Sequence, residues 1–196
     1  LGVVPKMIIF KNLSDAYYWV VYHQGTGNTA YTRLSTTDAS SSSLNMFQNT
    51  TPTGSVFSLT SQGYVNGNNN NMIAYCFGDV QGFSKMGSYT GNGNADGTFI
   101  YTGFKPAFTM IKSTGSDQWS MFDAKRNPFN VVDKNIRANS VDAEADQANK
   151  EVDYLSNGIK LRTSSGEWNT AGTAYIYMAF AENPFTSSAG TPVTAR

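Results

Sequence analysis

One cysteine, Cys76, stands among 196 residues, so no disulfide can form within the chain. Its apolar neighbours read as a buried, inert thiol. There is also only one histidine, His23. A Ser-His-Asp or Cys-His site would have to use it, and a zinc site needs three or four His, Cys or carboxylate ligands. Charge is scarce too. Lys plus Arg number 14 against 14 Asp plus Glu, and charged residues make up 14% of the chain, well below the usual ~25%. That balance excludes the basic footprint of a nucleic-acid binder and electrostatic docking on an anionic membrane. No run approaches the roughly 18 apolar residues of a membrane helix. No basic segment followed by an apolar one opens the chain. The first residue is Leu rather than Met, which reads as a processed product or a piece of a longer polypeptide.

Asn, Ser, Thr, Gly and Tyr fill the place left by charge. They suit strands and turns and are poor helix formers. Met7-Ile8-Ile9-Phe10 reads as a strand buried on both faces, Tyr17 to Tyr22 as an aromatic, β-branched strand, and Tyr31 to Leu34 as a weaker one. Gly25-Thr26-Gly27-Asn28, Ser40 to Ser43 and Asn66 to Asn71 are turn compositions. Ser140 to Lys150 is the one plausible helix, though without an apolar face, and a loop is the alternative.

Blocks of the first half return in the second, in the same order. Gly2, Pro5 and Lys11 match Gly103, Pro106 and Lys112; Trp19 to His23 match Trp119 to Asp123. Val56 to Leu59 match Gly158 to Leu161, and Phe77 matches Phe180. The expectation is an all-β, antiparallel β-sandwich built from an internal duplication. Its parts are a first repeat at 1–90, a Gly/Asn-rich connection with a returning strand at 91–102, a second repeat at 103–186, and a loose tail at 187–196. Met72 to Phe77 and Tyr175 to Phe180 are the expected central strands.

Candidate chemistry is sparse. His23 has Asp123 as its repeat partner, so a catalytic role would not be shared by the halves, and a structural or surface histidine is expected. Asp79 and Glu182 each lie two residues past a matching Phe. Paired carboxylates carry glycoside hydrolysis, but acids at strand ends serve turns as well. Asn92, Asn94 and Asp96 precede Gly97 as in the first half of a calcium loop, yet Gly103 stands where the bidentate Glu belongs. They form a weak calcium candidate; a glycine-permitted turn is the alternative. Tyr17, Tyr18, Tyr31, Tyr64, Tyr89 and Tyr101 include candidates for rings that stack on sugars, the rest belonging to the core. No catalytic or cofactor-binding residue and no cofactor is expected.

Ala74-Tyr75-Cys76-Phe77, Gly87-Ser88-Tyr89-Thr90-Gly91-Asn92-Gly93 and Ala179-Phe180-Ala181-Glu182-Asn183-Pro184-Phe185 carry a resemblance. Across residues 2 to 185 the chain resembles a domain of virion proteins in marine tailed bacteriophages, cyanophages among them. Those domains sit in tail-fibre-like or appendage proteins, often beside laminin-G or concanavalin-like lectin modules. The resemblance implies a non-enzymatic structural or adhesive role at the particle surface. The implied partners are further copies of the chain, neighbouring virion proteins and host-surface glycan, without nucleic acid or membrane insertion. It supplies no catalytic or ligand residue. The rival readings are a capsid decoration protein, a carbohydrate-active sandwich enzyme and a free sugar-binding module.

Overall fold

The structure is a computed structural model that describes residues 2–146, 151–186 and 192–193. Strand β1 (Pro5–Asn12) opens on a proline, at the strand end where a missing N–H is tolerated. It pairs on one side with β2 (Val20–His23) and on the other with β4 (Met72–Gly78); β3 (Thr32–Arg33) completes a sheet of order β3-β2-β1-β4. A second sheet contains β5 (Ser84–Thr90), β7 (Pro106–Ser113), β8 (Trp119–Asp123), β9 (Lys134–Arg137), β10 (Ala145–Asp146) and β13 (Ala174–Ala181). Its order is β10-β9-β8-β7-β13-β5. A third comprises β6 (Phe99–Tyr101), β11 (Val152–Leu155) and β12 (Gly158–Leu161), and β14 (Phe185–Thr186) pairs with β15 (Pro192–Val193). The described helices, α1 (Gly63–Asn66) and α2 (Gly166–Asn169), are single turns. The protein is therefore an all-β, antiparallel sandwich.

Three apolar layers hold the sheets. Between the two large sheets, Met7, Ile9 and Val21 meet Met86, Met110, Trp119, Ile176 and Met178. On the outer face of the first sheet, Ile8, Phe10, Val20 and Tyr22 pack under Met46, Phe47 and Val65. On the outer face of the second, Ile111, Phe122, Tyr175 and Tyr177 pack under Trp168 and the small sheet's Ile100, Val152, Ile159 and Leu161. Covering both faces of β1 explains why Met7 to Phe10 is a continuous apolar run rather than an alternating one.

The sheet orders β3-β2-β1-β4 and β9-β8-β7-β13 match pair for pair. An offset of 101 takes β1 to β7 and an offset of 100 takes β2 to β8; with them Met7↔His23 becomes Phe108↔Asp123 and Ile9↔Val21 becomes Met110↔Met121. An offset of 103 takes β4 to β13, so Ile8↔Cys76 becomes Thr109↔Ala179. The irregularity near the start of β1 recurs at its counterpart in β7. An offset of 104 takes β3 to β9, so Val20↔Arg33 becomes Ser120↔Arg137. The same offset carries a short ion-pair motif. Arg33 pairs with Asp38 at 2.7 Å, and Arg137 with Asp142 at 3.4 Å. Thr36 and Ser140 each accept the amide of that aspartate. The one-turn helices correspond at 103, and so do their left-handed exits, Asn69 at φ 60° and Gly172 at φ 76°. Asn and Gly are the residues that tolerate that conformation.

Several expectations need correction. Strand β4 is an edge and only β13 is central, because β5 crosses over to β13 and leaves its counterpart uncovered. Cys76, on that edge, is consequently half-buried rather than buried; desolvation raises its thiol pKa. Val56 to Leu59 form no ladder, although a bond from Thr53 N–H to Val56 O closes the turn where β11 and β12 meet in the other half. Tyr17 to Trp19 precede β2 rather than join it. Ser140 to Glu144 are not helical and Ala145–Asp146 form β10. Without an apolar stripe nothing presses this segment into a helix. Its acids pair instead, Asp142 with Arg137 and Glu144 with Arg126. Residues 147–150 of that segment lie outside the described residues, as does most of the tail at 187–196.

Candidate functional site

The chain before β2 places Tyr17, Tyr18 and Trp19 at the surface. Lys11 Nζ holds the Tyr17 carbonyl at 2.8 Å, and Leu34 N–H donates to the Trp19 carbonyl at 2.9 Å. Tyr64 rises from α1 to meet them. Its ring lies 4.7 Å from Tyr17 and stacks at 6.3 Å on Tyr18. Gly63 permits this approach, since a Cβ there would sit 2.8 Å from the Tyr17 hydroxyl. Trp19 stacks on Tyr75 of β4 at 6.4 Å. The Arg33 guanidinium lies 4.9 Å over the Tyr18 ring. Tyr17, Tyr18 and Tyr75 are 37%, 45% and 44% exposed, which is enough ring face for a ligand to stack on. Exposed Asn66 closes α1, and exposed Asn68, Asn69 and Asn71 follow it. Beside Trp19, with Leu34, Ser35 and Ala138, runs a groove of about 280 Å³.

The fold does not require these rings. At the corresponding positions of the other half stand Asp117, Gln118, Glu167 and the core residue Met178. Trp119, the counterpart of Trp19, is buried and donates Nε1–H to the Arg33 carbonyl at 2.8 Å. Of the six tyrosines singled out in sequence, Tyr17, Tyr18 and Tyr64 thus come together. Tyr101 is exposed beside another cleft, whereas Tyr31 and Tyr89 are buried. Trp19 and Tyr75 escape a sequence reading because their counterparts belong to the core. For Tyr75 the signal was the contrast with Met178, aromatic in one half and aliphatic in the other; Trp19 and Trp119 offer no such contrast.

The acids stand apart from this strip. Asp79 accepts Met86 N–H at 2.8 Å and pairs with Lys85 at 2.8 Å, tying the turn that leads from β4 to β5. Glu182 pairs with Lys105 at 2.8 Å. They line two clefts, of about 330 and 130 Å³, that meet at Gly82. Each carboxylate is thus engaged by a lysine at the end of its strand.

His23 is buried and its ring is fully engaged. Nδ1 accepts Gly25 N–H at 3.0 Å, which makes Nε2 the protonated nitrogen, and Nε2–H donates to the Tyr177 carbonyl at 3.1 Å. Desolvation pushes its pKa down to about 4, outweighing the Tyr177 carbonyl and the Asp79 charge. Asp123 does the same work in the other half, accepting Lys125 N–H at 2.9 Å. What the pair shares is a turn-capping acceptor. Lys112 is also buried. It donates to the Ser113 and Gly115 carbonyls at 2.6 Å, and desolvation lowers its pKa to about 8 against the pull of Asp117 and Asp38.

The 91–97 loop is committed internally. Asn92 Oδ1 accepts Asn94 N–H and an amide hydrogen of buried Asn169; Asn94 Oδ1 accepts Asp96 N–H. Asp96 pairs with Lys160 at 2.8 Å. Oxygens already accepting hydrogen bonds, with their one acid neutralised, do not fit a calcium ion. Among the described residues no group of three His, Cys, Asp or Glu is placed to hold a metal. No helix among them is long and apolar enough to cross a membrane.

Fold and surface define an all-β sandwich module that carries an aromatic strip on one edge. The chain belongs to a family described as a domain of unknown function, DUF7483, whose model matches residues 1–184. No curated protein and no solved structure matches it.

Proposed function

We propose that this chain is a non-enzymatic, adhesive structural domain of a phage virion, in a tail fibre or similar appendage. On this reading it works in several copies and touches host-surface glycan through the strip formed by Tyr17, Tyr18, Tyr64, Trp19 and Tyr75. The observation that carries the contact is the half-restricted aromatic repeat: rings that the fold does not need, exposed and stacked beside amides. Flat rings bury the apolar faces of sugars while Asn and Ser bond their hydroxyls. The placement on a virion is supported by the resemblance of Ala74 to Phe77, Gly87 to Gly93 and Ala179 to Phe185. The matching registers support descent of the two sheets from one duplicated unit. A glycan array probed with the purified chain tests the contact. Binding is expected, weakened at least tenfold by Tyr18→Ala with Tyr64→Ala and unaffected by Asp79→Asn. Binding indifferent to the rings, or reducing-sugar release abolished by Asp79→Asn, would overturn it.

A further inference from the structure

The two sheets differ at one matched edge. Strand β13 carries β5 on the side away from β7, whereas β4, its counterpart, has no strand among the described residues on the side away from β1. The effect on burial is direct: Tyr75 is 44% exposed and its counterpart Met178 is 6%. Which groups of β4 face outward follows from the ladder. Leu13 N–H donates to the Asn71 carbonyl, one step beyond the Asn12↔Met72 pair. Hydrogen-bonded pairs alternate in an antiparallel ladder, so Ile73, Tyr75 and Phe77 also turn toward β1. Met72, Ala74 and Cys76 turn their N–H and C=O groups outward. In β13 the matching residues are Tyr175, Tyr177 and Ala179, which meet Tyr89, Gly87 and Lys85 of β5.

We infer that the open edge of β4 is filled by β4 of a second copy of the chain, antiparallel, on a twofold axis through Ala74. This rests on the reading that the chain works in several copies, and names the surface they use. The internal precedent, β5 on β13, shows which kind of segment this edge accepts: an antiparallel strand bonding to the three outward residues. The outward set is self-complementary about its centre. Ala74 meets Ala74 of the second copy, and Met72 meets Cys76. The strand holds no charge and no proline, the usual devices that keep an edge unpaired. The smallest side chain of the outward set sits on the axis, where two copies approach most closely. The joined sheet has eight strands and brings the Trp19–Tyr75 stacks of both copies to one side, a bivalent array for a polymeric glycan.

Sedimentation of the full chain over a concentration series tests this, with two edge variants. Ala74→Pro removes an outward N–H that β1 does not use, and Ala74→Lys sets like charges opposite each other. The native chain is expected to dimerise. Both variants should weaken the dimer at least tenfold with unchanged circular dichroism. Ala74→Cys with Cys76→Ser should form a covalent dimer on mild oxidation, since hydrogen-bonded antiparallel pairs place Cα atoms ~5.5 Å apart. Phe129→Cys with Cys76→Ser, on a distant exposed loop, should not. A native chain that stays monomeric at its highest soluble concentration overturns the inference. So does an oligomer that survives both variants without the Ala74→Cys crosslink, although that result leaves the several-copy reading standing. A chain present in a virion without copy-to-copy contact would sink both.

Discussion

At the scale of single residues, the buried ionisable groups serve the fold, and their titration is the way to see it. His23 keeps its neutral form down to about pH 4, whereas in the unfolded chain it charges below pH 6.5. Its folded pKa is depressed, so its contribution is complete above pH 6.5 and is lost as pH falls from 6.5 toward 4. The difference corresponds to about 3 kcal/mol. His23→Gln, which keeps a donor for the Tyr177 carbonyl, should flatten chemical-denaturation stability over that window. An unchanged pH slope in the variant would contradict the assignment. Lys112 runs at the alkaline end. The unfolded chain holds that proton up to pH 10.5 and the folded chain releases it near 8. Stability should therefore climb between pH 8 and about 10, before unfolded tyrosines ionise, and Lys112→Met should abolish the climb. In the sequence His23 reads as a structural or surface histidine without its burial, and Lys112 was not legible at all. Lys11 and Lys112 look alike there, and only packing decides that one stays half-exposed while the other is buried.

At the scale of elements, β-prone runs and turn compositions made the strands legible and the matched blocks made their order legible. Two things were not. Which of two matched strands becomes an edge depends on where β5 crosses, a long-range choice that β4 and β13 do not encode locally. The one-turn helices were invisible because a single turn has no periodicity to detect. They matter nonetheless, since each delivers one residue into an outer layer: Val65, 1% exposed, and Trp168, 0% exposed. Trp168 fits edge-on against Phe122 at 5.0 Å. Thermal or denaturant unfolding should show a loss of about 3–5 kcal/mol for Trp168→Ala and about 2 for Val65→Ala. Equal and negligible losses would mean that the turns do not close the layers.

At the scale of the whole molecule, two matched sheets share one interior and differ in what they expose. The second sheet has its edge covered by β5, which crosses over from the first repeat, and its outer face covered by the small sheet. The first leaves an edge strand and an aromatic strip open. A sequence reading found Tyr17, Tyr18 and Tyr64 as ring candidates but did not single out Trp19 or Tyr75, whose exposure is set by the surrounding strands rather than by residue type. The three tryptophans make the strip directly observable. Trp119 and Trp168 are buried, so only half-buried Trp19 should be reached by a soluble quencher. The decisive measurement is iodide quenching of tryptophan fluorescence with and without host-surface polysaccharide. An accessible fraction that vanishes in Trp19→Phe and is protected by the polysaccharide is the result expected here. Polysaccharide that binds and leaves Trp19 as accessible as before would contradict the aromatic strip as the contact surface.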